Sequence, residues 1–273
     1  MHPVLFDIDL GRLGRFTVGT YGLFYALGFL LALRVAVHYA RRDGLPTSRI
    51  VDLGILTLIA GFVGAKLLLY LLDARYYLEH PIEMVRSLRS AGVFYGGFGL
   101  AAAAALLYIR RRRLPLGPVA DLSAPALALG QAVGRLGCFA AGCCYGKACA
   151  LPWAVTFSDP RSYDLTGVPL GIALHPTQIY HALSNLAVFG ITVVAMRRRR
   201  VHGQVFWIYV LSYAVLRMLV EAFRGDVARG VFLGGRLSTS QAIAAGALVV
   251  ASVMLYRLSR RARADEVRRR ARA

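Results

Sequence analysis

The chain has 273 residues, 57% of them apolar, and its mean hydropathy is +0.54. It also carries 33 lysines and arginines against 14 aspartates and glutamates, which gives a formal net charge of +19 at pH 7. Soluble globular domains do not combine such values, so the composition excludes that class and indicates an integral membrane protein.

Apolar stretches of about 20 residues, the length a helix needs to cross a hydrocarbon core about 30 Å thick, recur between short polar breaks. None has the alternation of an outer-membrane strand, so each is expected to be a helix that closes its own backbone hydrogen bonds. The predicted fold class is therefore all-α, a polytopic membrane protein of about seven transmembrane helices. The predicted spans are residues 16–39, 50–72, 92–109, 119–139, 177–196, 204–223 and 239–256.

The first span is expected to remain in the mature protein. Residues 1–15 contain aspartates and glycines, and the apolar stretch after them has full membrane length, which does not fit a cleavable signal. A single transmembrane domain is predicted over residues 1–257, followed by a basic cytoplasmic tail over residues 258–273.

Basic residues are distributed unevenly around the predicted spans. Nineteen of the 33 follow spans one, three, five and seven, whereas ten lie in the N-terminal arm and after spans two, four and six. Because short cytoplasmic loops are enriched in Lys and Arg, the N-terminus is placed outside and the C-terminus in the cytoplasm. The terminal arginines also resemble a nucleic-acid-binding arm, but orientation and attraction to anionic membrane lipids explain them, so no nucleic-acid partner is expected.

Four basic residues fall inside or at the edge of predicted spans, where a central Arg or Lys costs about 2.5 to 3.5 kcal/mol. Such side chains usually face the interior of a helix bundle or a wet cavity. Arg34 is expected to reach the cytoplasmic interface, and Lys66 has no evident role. The remaining two, Arg135 and Arg217, are candidate site residues.

The sixth span carries Tyr213, Arg217, Glu221 and Arg224 at spacings of four, four and three, which places them on one helix face. One interpretation is a structural pair in which Arg217 and Glu221 neutralise each other. The other is an anion site, since the planar guanidinium donates two hydrogen bonds to two phosphate oxygens and stays charged in a low dielectric.

The segment 130–147 combines glycines with all four cysteines of the chain. Glycine at 130, 134, 137, 142 and 146 suggests close approach of the backbone, or unwinding beside a cavity, around Arg135. The cysteine spacing is C-x4-C-C-x4-C with no nearby His, which disfavours zinc. A disulfide outside the membrane is an alternative, and small buried thiols are favoured. No metal or cofactor is predicted. The cysteines are Cys138, Cys143, Cys144 and Cys149.

These motifs, in this order and spacing, resemble the prolipoprotein diacylglyceryl transferases, a family of bacterial membrane enzymes that lipidate lipoprotein precursors. The likeness extends over nearly the whole chain. The motifs are Tyr21-Gly22-Leu23-Phe24, Tyr95-Gly96-Gly97, Gly134-Arg135-Leu136-Gly137 with Gly142 and Gly146, His175-Pro176-Thr177-Gln178-Ile179-Tyr180, the face of span six described above, and Leu237-Ser238-Thr239-Ser240-Gln241.

The resemblance implies a transfer in which the lipobox cysteine thiol of a prolipoprotein attacks the glyceryl carbon of phosphatidylglycerol, forming a thioether and releasing glycerol 1-phosphate. It implies a location in the bacterial cytoplasmic (inner) membrane. Arg135 and Arg217 would hold the phosphate and Glu221 would orient Arg217, because charge that develops on the leaving group needs stabilisation. The other implied substrate-binding residues are Tyr21, Gly97, Gly137, Cys138, Gly146 and Arg224.

The group that removes the thiol proton is left open between two residues. Tyr95 has an ordinary pKa near 10 and would act as a base only if that pKa were strongly shifted, or else as a hydrogen-bond donor. His175 is the other candidate, and a role in capping span five before Pro176 is its alternative.

The chain departs from the family pattern at four positions. Cys138 replaces Asn, Cys143 replaces Glu, Tyr95 replaces His, and His181 replaces the acid that often ends the His-Pro-Thr-Gln motif. These departures leave open a relative that binds phosphatidylglycerol without transferring it. A small-anion transporter is a further alternative, disfavoured because no internal repeat is visible.

Overall fold

The computed structural model describes residues 2–9, 15–89, 92–226, 231–232 and 237–270. Within these ranges the chain is predominantly helical. The helices are α1 Thr20–Arg42, α2 Thr47–Leu72, α3 Ala74–Glu79, α4 Pro81–Arg86, α5 Phe94–Arg111, α6 Leu116–Ala141, α7 Pro160–Thr166, α8 Thr177–Arg198, α9 Gln204–Glu221 and α10 Thr239–Arg270.

Three short antiparallel strand pairs accompany the helices, so the all-α prediction holds only as a predominance of helix. The pairs are β1 Val4–Asp9 with β2 Arg15–Gly19, β3 Val155–Thr156 with β4 Ala173–Leu174, and β5 Val231–Phe232 with β6 Leu237–Ser238. In each case pairing satisfies backbone groups that no helix covers. The first pair also corrects the start of span one, because β2 ends at Gly19 and helix begins at Thr20 rather than at Phe16.

Five of the described helices are long and apolar enough to cross a membrane, by length and composition. Helices α5 and α6 coincide with predicted spans three and four but fall outside those five, because α5 ends in two arginines and α6 contains Asp121 and Arg135. The number seven therefore remains a prediction. The five helices are Thr20–Arg42, Thr47–Leu72, Thr177–Arg198, Gln204–Glu221 and Thr239–Ala264.

The chain forms two compact units, one of residues Met1–Ala36 with Ala120–Ala273 and the other of Val37–Val119. In the second unit α2 packs directly against α5. A Cβ atom added at Gly64 or Gly96 would lie 2.4 Å from the backbone oxygen of the other, so only glycine permits this approach.

Lys66 is buried in the second unit, where its ammonium group donates a hydrogen bond to the backbone oxygen of Ser87. Tyr70 Oη, one helical turn further on, donates to Met84 O at 2.8 Å. Both acceptors lie at the end of α4 and just after it, where helix carbonyls lack partners of their own. This contact gives Lys66 a structural role that the sequence did not reveal.

In the first unit, α9 packs between α8 and α10, and α6 packs against α1 through glycines. A Cβ atom on Gly28 would lie 2.9 Å from Gly130 O. Helix α10 runs without a break past the predicted tail boundary, and Leu258 lies against Gly203. The predicted tail thus begins inside a helix, and its functional separation from the domain stays a prediction.

Asp121 anchors the start of α9 although it belongs to α6. Its fully buried carboxylate accepts hydrogen bonds from the backbone N–H groups of Gly203, Val205 and Phe206 at 2.8, 2.9 and 3.1 Å. These are N–H groups that a helix start leaves without intrahelical partners. Arg199 lies 3.7 Å from the same carboxylate and offsets its charge. These hydrogen bonds fix the start of α9 relative to α6.

Candidate functional site

The polar face predicted on α9 exists for Tyr213, Arg217 and Glu221, whereas Arg224 lies beyond the end of the helix and joins them through ion pairs. Arg217 Nη1 lies 2.6 Å from Glu221 Oε2, and Arg224 Nη1 lies 3.8 Å from the same oxygen. Arg224 also pairs with Asp226, with Nη2 2.5 Å from Oδ2. Tyr213 stacks on Tyr209 one turn before Arg217, at 5.9 Å between ring centroids. The helical spacing in the sequence therefore corresponds to a real cluster.

His181 of α8 completes this cluster. Arg217 Nη1 lies 2.9 Å from His181 Nε2. Because a guanidinium group only donates hydrogen bonds, His181 Nε2 is the acceptor and carries no proton. Arg135 and Arg224 are also near enough for their charges to act on this imidazole. The sequence singled out His181 as a departure from the family pattern but not as a site residue.

A stripe of polar residues on α8 faces the interior of the first unit. Gln178, His181 and Asn185 are at most 3% exposed, although α8 is apolar enough to cross a membrane. Their spacing of three and four places them on one helix face. Buried amides and imidazoles at this spacing in an apolar helix are the signal by which the sequence could have added α8 to the site.

The loop after α6 is bound through backbone hydrogen bonds to the residues just before α8 and just after α9. Gly146 N donates to His175 O at 3.1 Å, Lys147 N to Phe223 O at 2.9 Å, and Gly225 N to Tyr145 O at 3.1 Å. A Cβ atom on Gly146 would lie 2.4 Å from His175 O. The motif glycine at 146 is thus required for close backbone approach, which agrees with the prediction for this segment.

The same loop brings cysteines beside the arginines. The sulfur atoms of Cys138, Cys143 and Cys144 all lie within 4.8 Å of one another, and all four cysteines are free thiols. Arg135 is close enough for its charge to act on each of these three thiols and on Tyr213. Arg135 therefore lies near both the thiols and Tyr213 of α9.

Gly137 and Tyr21 meet where α6 crosses α1. A Cβ atom on Gly137 would lie 3.2 Å from Tyr21 O and 3.0 Å from Phe24 Cβ. The Tyr21 phenol is close enough to Cys138 and Arg135 for electrostatic interaction. Both predicted residues therefore belong to the same neighbourhood as Arg135, and Gly137 makes that approach possible.

His175 lies outside α8, before Pro176, which stands at the cap position of that helix and makes no side-chain cap bond. The imidazole Nδ1 lies 3.3 Å from Tyr180 Oη, and the ring packs against Phe223 with centroids 5.2 Å apart. Its backbone holds Gly146, as described above. His175 O also accepts from Thr177 N at 2.8 Å, so these contacts connect His175 both to the loop and to the first turn of α8.

Tyr95 and Gly97 belong to the second compact unit and are described with it. Gly97 packs against α2, since a Cβ atom there would lie 2.7 Å from Gly61 O. The Tyr95 ring is half exposed and packs edge-on against Phe94. Helix packing accounts for Gly97, whereas the role predicted for Tyr95 remains a prediction.

The sequence left open whether the arginines form a neutralised ion pair or an anion site, and the balance of charge bears on that question. Among the described residues, carboxylates pair with Arg217 and with Arg224, and none is paired with Arg135. Three cations thus converge on two carboxylates and a neutral imidazole, which leaves net positive charge in a largely buried site. The fold and the site together define a helical membrane protein with a largely buried, positively charged cluster of arginines.

Comparison with known proteins identifies the family. The family model for prolipoprotein diacylglyceryl transferase matches residues 8–257. The chain is 33% identical to the phosphatidylglycerol–prolipoprotein diacylglyceryl transferase of Clostridium tetani, over 95% of this chain and 98% of that protein. It is 32% identical to the protein of the same name from Geobacter sulfurreducens, over 95% and 96% of the two chains.

A relative from Corynebacterium efficiens with that name is 31% identical over 91% of this chain and 80% of its own length. The chain belongs to the prolipoprotein diacylglyceryl transferase family. The resemblance inferred from its motifs is thereby confirmed.

Proposed function

We propose that this protein is the transferase that moves the diacylglyceryl group of phosphatidylglycerol to the cysteine thiol of prolipoproteins, the activity named for its relatives. The observation that carries the proposal is the position of Arg217, 2.6 Å from Glu221 and 2.9 Å from His181, with Arg224 3.8 Å from the same carboxylate. A phosphate leaving group requires such a centre, because negative charge develops on it as its bond to carbon breaks.

Arg217 is proposed to bind the phosphate through nitrogens that its neighbours do not use. Both described contacts of Arg217, with Glu221 and with His181, are made by Nη1. Nε and Nη2 therefore remain as a parallel pair of donors for two phosphate oxygens. Glu221 and His181 hold the guanidinium plane, so little side-chain entropy is lost when phosphate binds.

Arg135 is proposed as the second phosphate ligand. Its charge is not matched by a carboxylate among the described residues, so an anionic headgroup would be attracted to it. Tyr21, Cys138 and the backbone near Gly137 and Gly146 would shape the surrounding cavity. Arg224, paired with Asp226, is proposed to support Glu221 from the other side.

Removal of the thiol proton is assigned to two candidates. Tyr95 and His175 remain proposals for this role, and neither is required for the phosphate to bind. The remaining substrate features are proposed as well: the acceptor is a lipobox cysteine in a signal peptide, and the released product is glycerol 1-phosphate.

The setting of the reaction is proposed to be the bacterial cytoplasmic membrane. We infer seven transmembrane helices with the N-terminus outside and the C-terminus in the cytoplasm. The distribution of arginines supports this arrangement. The glycine-rich loop and the arginine centre would then lie toward the outer face, where precursors emerge during export.

The test is a reconstitution with defined substrates. Purified protein in detergent is incubated with phosphatidylglycerol and a lipobox peptide, and mass spectrometry follows the peptide. A mass increase equal to one diacylglyceryl group, with release of glycerol phosphate, is expected. A peptide with Ser in place of the acceptor Cys is the control. Binding of phosphatidylglycerol without transfer, under conditions where an authentic transferase works, would instead indicate a non-catalytic relative.

A further inference from the structure

Three of the four cysteines form a compact group whose thiols have no chemical role in the reaction proposed above. The sulfur atoms of Cys138, Cys143 and Cys144 lie within 4.8 Å of one another. When three thiolates bind Zn²⁺ at about 2.3 Å, the sulfurs lie about 4 Å apart. Adjustments of under about 1 Å would therefore convert this group into a set of metal ligands.

The backbone around the thiols is held in place. Gly142 N donates to Cys138 O at 2.9 Å, Gln178 Nε2 to Cys143 O at 2.8 Å, and Thr177 Oγ1 to Cys144 O at 2.7 Å. Cys144 adopts a positive φ of 58°, which non-glycine residues rarely do. Such strain persists only where surrounding contacts enforce it, and here it keeps two adjacent cysteines in one cluster.

The charges near the thiols favour an anionic metal complex. Three thiolates around a divalent ion carry a net charge of −1. Arg135 is close enough to interact electrostatically with all three cysteines, and Arg224 acts on Cys144. An apolar environment would oppose a charged complex, whereas this one supplies its counter-charge.

The group offers three ligands and therefore an open coordination position. In the ranges that the structure describes, no His, Asp or Glu joins the three cysteines. Zinc sites with three protein ligands are typically catalytic, since the fourth position takes water or substrate. The C-x4-C-C spacing did not indicate such a site, because the end of α6 and the loop after it bring the ligands together.

We propose that Cys138, Cys143 and Cys144 bind a thiophilic divalent metal ion such as Zn²⁺, and that its fourth position binds the acceptor cysteine of the prolipoprotein as a thiolate. This inference rests on the proposed transferase function and offers an alternative to Tyr95 and His175 as the group that activates the thiol. A thiol that coordinates a metal ion is deprotonated at neutral pH.

The proposed transfer of the diacylglyceryl group changes no oxidation state. When the acceptor thiol binds the metal, its proton passes to water. The sulfur lone pair then forms a bond to the glyceryl carbon, the bond between that carbon and the phosphate oxygen breaks, and its electron pair leaves on glycerol phosphate beside Arg135. The thioether product is a weak metal ligand, so it dissociates and the position opens again.

Metal binding is tested first, with Co²⁺ as the probe because thiolate–cobalt charge transfer is visible in absorption spectra. Reduced, chelator-treated full-length protein is titrated with Co²⁺ in detergent. One equivalent is expected to bind with a thiolate charge-transfer band. Single Cys→Ser substitutions at 138, 143 and 144 should each weaken Co²⁺ binding by at least about 100-fold. Loss of a residue that only hydrogen-bonds to a metal ligand typically costs about 10- to 100-fold.

Cys149→Ser is the matched control, because Cys149 lies outside the cluster. It should bind Co²⁺ as the unsubstituted protein does. Absence of a charge-transfer band in the unsubstituted protein, or equal binding by all four variants, would overturn the proposal. So would a native disulfide between two of the three cysteines, detected by mass spectrometry of unreduced protein. Size-exclusion profiles separate loss of ligands from loss of folding.

Two further measurements link the metal to the substrate. A lipobox peptide with Cys, but not its Ser analogue, should shift the ligand-field band of the Co²⁺ protein. A free thiol with pKa near 8.5 is only about 3% ionised at pH 7, so metal removal should lower transfer at pH 7 about 30-fold. The rate of metal-loaded protein should be nearly constant from pH 7 to pH 8.5, whereas that of the metal-free protein should rise with pH.

The outcomes distinguish this inference from the transferase function. Transfer that continues unchanged after complete metal removal would leave the transferase function intact and overturn the metal site. A peptide-dependent shift of the Co²⁺ band in a protein that never transfers diacylglyceryl would support the metal site and count against the transferase function.

Discussion

At the scale of single residues, the site depends on how one guanidinium group is held. Arg217 uses Nη1 for both Glu221 and His181, which come from two different helices. A simple ion pair would need only one of these acceptors. The second partner constrains rotation of the guanidinium plane, which is the orientation that the proposed phosphate binding requires.

Replacement of Arg217 by Lys is expected to lower the transfer rate by at least about 100-fold, the usual loss when one donor to a developing negative charge is removed. An ammonium group keeps the charge but cannot donate two parallel hydrogen bonds. The measurement is the initial rate of peptide lipidation by detergent-purified protein. Arg34→Lys is the control, since Arg34 is exposed on α1, and should keep its rate. Full activity of Arg217→Lys would remove Arg217 from the mechanism.

Replacement of His181 by Phe is expected to lower the rate about 10-fold, because a buried donor without its acceptor costs about 1 to 3 kcal/mol. His181→Gln retains an acceptor and should recover part of the loss. Rates at saturating and limiting phosphatidylglycerol should show mainly weaker binding, as expected of a residue that acts through Arg217. His202→Phe, at an exposed histidine, should have no effect. Equal losses in the Phe and Gln variants would exclude this positioning role.

At the scale of elements, α9 is anchored at its start by α6 and carries site residues near its end. Its first N–H groups are held by Asp121 of α6, and its last turns carry Arg217 and Glu221. Arg135 also lies on α6, about four helical turns after Asp121. A single carboxylate therefore helps to fix the relative register of the two helices that supply both proposed phosphate ligands.

Asp121→Ala is expected to lower the free energy of unfolding by about 2 to 4 kcal/mol, because it removes the acceptor of three backbone N–H groups at the start of α9 and breaks the buried ion pair with Arg199. Thermal unfolding in detergent measures this change. Asp159→Ala is the matched control: Asp159 caps α7 by accepting from Arg161 N at 3.0 Å, but its ion-pair partner is largely exposed. The melting temperature of the Asp159→Ala variant should fall less than that of the Asp121→Ala variant. An equal or larger fall in the control would contradict the anchoring role of Asp121.

At the scale of the whole molecule, two of the described helix pairs, α2 with α5 and α1 with α6, associate through glycine. Gly64 with Gly96 and Gly28 with Gly130 each bring two helix backbones into direct contact. In lipid, close packing of this kind replaces the hydrophobic driving force that water provides. Many large apolar side chains, including Leu72 and Phe94, are consequently left exposed on the protein surface.

The orientation is tested with reporters on the full-length chain. Green fluorescent protein fused after residue 273 should fluoresce, because the C-terminus is predicted to lie in the cytoplasm. Alkaline phosphatase fused at the same position should be inactive, whereas phosphatase inserted after Lys147 should be active. The reverse pattern at either position would contradict the predicted topology, whatever the number of spans.

How much the sequence could predict depended on the range of each interaction. The helices and the face of Tyr213, Arg217 and Glu221 follow from local periodicity, which needs only the geometry of one helix. The start of span one at Thr20 and the strand pairs were missed, because apolar composition alone does not separate a strand from the helix that follows it. Lys66 remained unexplained because its partner, Ser87, lies 21 residues away.

The sequence by itself determined the class of protein, a helical membrane protein, and its family. It also singled out the arginines that lie inside predicted spans, where lipid disfavours a charge. Composition and local spacing carry that information. Only the tertiary structure decided that His181 accepts from Arg217, that Asp121 caps α9, and that three cysteines converge beside Arg135. These contacts join residues distant in sequence or lying in irregular backbone. Such contacts depend on how helices pack and loops close, and no local pattern in the chain encodes them.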